Sequence, residues 1–154
     1  MRVRLLKSVT LTSTGLLAGA FGYGAVNLTP TFRAVPLDMR LTFHARLMRM
    51  NSPVMVGAMT VSTLSSLSLA RLTHGPERRR ALGAGLLTAA SFAITRFGNV
   101  PINARIKTWA VTEAPADHAR ILRRWERYNV LRTVTAVGAF ALLADLAPGR
   151  LTQQ

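Results

Sequence analysis

Ser8–Phe32 reads SVTLTSTGLLAGAFGYGAVNLTPTF, a run without one charge. A helix needs roughly 20 mainly apolar residues to cross the hydrocarbon core of a bilayer, so this run is long enough to span. Working outward, residues 50–70 and 81–95 are equally free of charge, and residues 133–144 form a shorter clean stretch. The second stretch reaches spanning length unaided. The third and fourth reach it only if Arg96 and Arg132 lie within the membrane or at its rim. Ionisable groups at that depth are costly, face a protein interior or a wet cavity, and mark functional sites. The pattern predicts an all-α fold: an integral membrane four-helix bundle, one domain over 1–154, with spans near 5–27, 53–72, 81–98 and 130–146.

At 154 residues the chain suits one domain rather than two. Its formal charge of +14 raises nucleic-acid binding, where basic side chains neutralise phosphates. Such proteins seldom hold four long apolar segments, and no nucleic-acid motif is present. The basic loops are instead expected to lie against anionic lipid headgroups. The lack of cysteine excludes disulfides, thiolate metal sites and cysteine nucleophiles. Arg2, Arg4 and Lys7 ahead of an apolar run would also suit a secretory signal; the segment is read as the first membrane helix.

The first helix is expected over Leu5–Asn27, with Gly15 and Gly19 at a spacing that lets membrane helices approach closely. Pro30 and Pro36 should bracket a turn. Residues 38–51 place Leu41, His44, Leu47 and Met48 on one face, with Arg40, Arg46 and Arg49 mostly elsewhere. That pattern predicts a short amphipathic helix at the interface or leading into the second span. The second span should start near Pro53 and end near Leu72, with a turn at Gly75-Pro76 and an arginine anchor at 78–80. Pro101 in Asn99-Val-Pro-Ile-Asn103 should end or kink the third span. A last helix is expected from Ala116 to Leu146, stopped by Pro148-Gly149. The charge near the span ends favours a bacterial-type cytoplasmic membrane with both termini in the cytoplasm.

Trp125, Asn129 and Arg132 fall at offsets of four and three, so they share a helical face. The competing reading is that Arg132 snorkels to headgroups and Trp125 joins an interfacial aromatic belt. Asn99, Asn103, Asn27, His44 and Asn51 belong to the same end of the bundle, so a polar-lined pocket is expected there. His44 is the only histidine placed for proton transfer, although a lone histidine is more often structural. Three scattered histidines and six acids supply no metal set, and haem through His44 has no partner motif. No phosphate loop, dinucleotide fingerprint or hydrolase elbow is present.

The stretch from Asn99-Val-Pro-Ile-Asn103 through Trp109 to Arg123-Arg124-Trp125, Asn129 and Arg132 resembles the DUF1772 family, also called anthrone-oxygenase-like. The resemblance is strongest over residues 96–145. It implies a small four-span membrane protein, and some family members oxidise anthrones to anthraquinones with no known metal or flavin. On that implication the partners are an apolar aromatic molecule and dioxygen, with no cofactor. Arg132 and Arg96 would hold the developing oxyanion, and His44 would be the base. Asn51, Asn99, Asn103 and Asn129 would orient the substrate, with Trp109 and Trp125 on its rings. Two rival classes stand beside this one: a non-enzymatic subunit of a larger membrane complex or homo-oligomer, and a small-molecule carrier using the same pocket.

Overall fold

The computed structural model describes residues 2–145, and every regular element among them is helical. Helix α1 (Arg2–Tyr23) runs through a wide π-helical turn, Gly24–Leu28, into α2 (Thr29–Ala34). Helix α3 covers Leu37–Leu72, and α4 (Gly75–Ala93) passes through a second π turn, Ile94–Asn99, into α5 (Val100–Trp109). Helix α6 covers His118–Ala144. Three continuous rods, Val3–Ala34, Leu37–Leu72 and Gly75–Trp109, are long and apolar enough to cross a membrane. Basic residues running down α6 as far as Arg132 keep that helix below the same measure.

Helix α1 packs on α3 and α6, and α4 packs on the same two. Leu16, Val26, Val61, Leu64, Leu86 and Val134 point outward and are exposed, whereas Thr10, Thr14, Ser62, Ser66, Thr88 and Ser91 are fully buried. An apolar exterior of this extent suits a lipid environment. The inward hydroxyls are tolerated because most bond to a carbonyl one turn back: Thr10 to Leu6 at 2.7 Å, Ser66 to Ser62 at 2.7 Å and Thr88 to Ala84 at 3.0 Å. Their small size also lets the helices close up. Of the two spaced glycines in α1, Gly15 lies against Phe140 of α6, while Gly19 faces open space.

The prolines act differently from the expectation. The predicted turn between Pro30 and Pro36 shrinks to Val35-Pro36, because helix continues through Pro30 to Ala34. The separate interfacial helix over 38–51 is instead the first part of α3, with Pro53 inside that helix rather than at its start. Proline removes one backbone bond, which membrane helices absorb through neighbouring groups. Pro101 neither ends the third rod nor starts a loop, since the π turn before it carries the disruption. Helix α6 begins at His118, two residues later than expected, with Asp117 preceding it. Leu146 and Pro148-Gly149 lie outside the described residues.

Candidate functional site

The two π turns are built alike. Each is followed within two residues by proline, Pro30 after Gly24–Leu28 and Pro101 after Ile94–Asn99. A proline has no N–H to return to the carbonyl four residues back. A wide turn absorbs this by bonding five residues back, from Thr29 N–H to the Gly24 carbonyl and from Val100 N–H to the Thr95 carbonyl. The Thr29 hydroxyl adds a second donor to Gly24, at 3.0 Å. Such turns occur often at functional sites. Both pack on α6, and the second comes so close that Tyr128 covers the bare Cα of Gly98.

A cavity of about 240 Å³ lies between the rods at this end, lined by Phe21, Phe32, Asn51, Asn103, Trp125, Asn129 and Arg132 among others. On one wall, Arg132 donates through Nε and Nη2 to Asn129 Oδ1, at 3.0 and 2.6 Å. Asn129 Nδ2 donates in turn to the Thr29 hydroxyl at 3.2 Å. The guanidinium also sits 4.3 Å above the Phe21 ring, a cation–π contact. Among the described residues no carboxylate pairs with Arg132. Among the described residues its Nη1 makes no hydrogen bond.

The facing wall is fixed by Asn103. Its Oδ1 accepts from Trp125 Nε1 at 2.8 Å and lies 3.3 Å from His44 Nε2. Among the described residues the amide nitrogen of Asn103 makes no hydrogen bond, and the residue borders the cavity. His44 is fully buried, stacked on Phe32 at 5.0 Å and edge-on to Trp125 at 4.4 Å. It sits behind the lining rather than in it.

The structure thus brings Trp125, Asn129, Arg132, Asn103 and Asn51 to one cavity and leaves five other sequence candidates, His44 among them, outside its lining. Arg96 is exposed, beside Phe97 in an outer groove between α3 and the end of α4. The helical stripe of Ala84, Thr88 and Ser91 continues to Gly98 and Asn99, which meet α6, while Arg96 falls to its side. Asn99 is fully buried and donates to the Trp125 carbonyl at 3.2 Å, bracing the helices together. Trp109 packs on the apolar cluster of Ile102, Ile106, Ile121 and Leu122. Asn27 is exposed. Sequence reasoning missed Phe21 and Phe32, which look like ordinary span residues, and Thr29, whose role follows from the π turn.

It also placed Arg40 off the buried face, whereas Arg40 is 8% exposed. The partner explains the burial: Arg40 donates to Glu126 Oε1 at 3.0 Å, while Arg33 holds Oε2 at 2.6 Å. Burial alone would raise the Glu126 pKa, but the hydrogen bonds and charges of Arg33 and Arg40 outweigh it and hold the carboxyl below its ordinary range. One acid thereby ties α2, α3 and α6 beside the cavity. Among the described residues no three His, Asp or Glu side chains are gathered as a metal set would require.

Fold and site together define a helical protein of membrane character, with a cavity lined by aromatic rings, amides and the two cations Arg132 and Lys107. Residues 39–142, two thirds of the chain, match the family model described as anthrone oxygenase. The chain belongs to that family. No curated protein and no solved structure matches it.

Proposed function

We propose that this protein is a membrane-embedded oxygenase that converts an anthrone-type aromatic to the corresponding quinone with dioxygen. In this reading α6 is the fourth crossing of a four-helix bundle. The termini and Arg78–Arg80 lie on the cytoplasmic side of a bacterial-type membrane, following the bias of basic residues at span ends. The observation that carries the proposal is Arg132: a cation at the cavity wall, bonded among the described residues only to a neutral amide and an aromatic face.

An anthrone is planar, apolar and acidic at its central methylene, because the resulting carbanion is an enolate with its charge on oxygen. A volume of about 240 Å³ exceeds the ~150 Å³ that accepts one benzene ring, so fused rings are the better fit. Trp125, Phe21 and Phe32 offer ring faces. Arg132 and the Asn103 amide are the donors assigned here to the enolate oxygen, with Asn51 and Lys107 also on the lining, in a low-dielectric site where such bonds count most. Loss of the C–H proton to water gives the enolate, whose carbon bonds to dioxygen, and the resulting peroxide anion takes a proton back from water to form a hydroperoxide. Loss of water from that centre leaves the second carbonyl, so one oxygen atom enters the product and the other enters water. His44 acts in this scheme by holding Asn103, since its ring does not border the cavity.

Purified protein in detergent, given an anthrone under air, should form quinone faster than the spontaneous reaction. Arg132→Gln should lower kcat about 10²–10³-fold, the usual effect of removing one oxyanion donor. A native rate no higher than background would end the enzymatic reading. Equal native and variant rates would remove Arg132 from it.

A further inference from the structure

A second concavity lies on the outer side of the first π turn, walled by Ala25, Thr29, Pro30 and Arg33 on one side and by Arg123, Glu126, Arg127, Val130 and Leu131 on the other. Both walls change character in the same direction. The rods run antiparallel here, because Arg33 meets Glu126, Thr29 meets Asn129 and Phe21 meets Thr133. Arg33 therefore lies level with Arg123 and Arg127 at one end. Ala25 lies level with Val130 and Leu131 at the other, where the last two are each half exposed. Arg123 and Arg127 are exposed and lack an acid partner among the described residues. The single carboxylate in the groove is already neutralised by Arg33 and Arg40.

We propose that this groove binds one anionic phospholipid, its phosphate between Arg123, Arg127 and Arg33 and an acyl chain along Ala25, Val130 and Leu131. A basic head above an apolar channel is complementary to such a lipid and to little else of that shape. The groove of about 660 Å³ opens outward, so occupation does not depend on the internal cavity or its chemistry. Bound there, the lipid would brace α2 against α6 at the level of the Glu126 ion pairs.

The test uses the full chain in mild detergent, with phosphatidylglycerol and phosphatidylcholine of equal chain length as probes and native mass spectrometry as readout. Phosphatidylglycerol should be retained preferentially. The pair Arg123→Gln and Arg127→Gln should reduce that preference roughly thirtyfold, two arginines each worth about a factor of five. Equal retention of the two lipids by the native chain would overturn the proposal, and so would a preference that survives the double change. Soluble glycerol phosphate binding as tightly as the lipid would also overturn it, since the apolar half would then contribute nothing. If the double variant does not fold, the comparison of lipids on the native chain still decides.

Discussion

Replacing Gly98 with alanine tests the closest approach in the site. A Cβ on Gly98 would lie 2.7 Å from Tyr128 Cγ and 2.9 Å from each Cδ. Those atoms are the root of the ring, so no free end can swing away, and Arg124 holds the hydroxyl at 2.9 Å. Relief requires α6 to move off the π turn, stretching the Asn99 bond to the Trp125 carbonyl. Overpacking of this kind costs about 1–3 kcal/mol, offset by about 1 kcal/mol for alanine over glycine in a helix. The net loss of up to about 2 kcal/mol corresponds to a fall of roughly 4–8 °C in the midpoint for a chain of this size. Gly19 supplies the control: nothing lies within 4 Å of its Cβ position, so Gly19→Ala should leave the midpoint unchanged or raise it. Thermal unfolding in one detergent, followed by circular dichroism, measures both. Adding Tyr128→Ala to Gly98→Ala should restore part of the loss, because the two positions are coupled. A Gly98→Ala protein more stable than the native one, or a Gly19→Ala protein that is worse, would refute the reasoning.

Other outcomes follow from the same geometry. His44→Phe keeps the rings stacked but removes one donor from Asn103, so turnover should fall about fivefold, the worth of one neutral hydrogen bond. A thousandfold fall with loss of the acidic limb of the pH profile would make His44 the base instead. Glu126→Gln should destabilise the fold by about 3 kcal/mol, the low end for a broken buried pair, because Arg33 is largely exposed while Arg40 is not. Since the Glu126 carboxyl titrates below its ordinary range in the folded chain, its contribution is present above that ordinary range and lost as the pH falls through the folded value. Acid unfolding monitored by circular dichroism should therefore flatten in Glu126→Gln. Arg132→Gln should also weaken quenching of tryptophan fluorescence by an anthrone, because it removes a cation from the wall that Trp125 shares.

Length of apolar runs and the period of a helix sufficed, by themselves, to establish the all-helical class, the membrane character of the first three rods and the shared face of Trp125, Asn129 and Arg132. Those are local properties, set by counting along one chain. The family resemblance around Asn99–Asn103 was legible for the same reason, since the motif is contiguous. What required the tertiary structure was register across helices. Arg96 faces an outer groove while Asn99, three residues on, meets α6. Burial of Arg40 and His44 likewise depended on partners 59 to 86 residues away. Such distant partners cannot be read from spacing, because the energy that makes a buried charge tolerable comes from the group it meets and not from its neighbours in sequence.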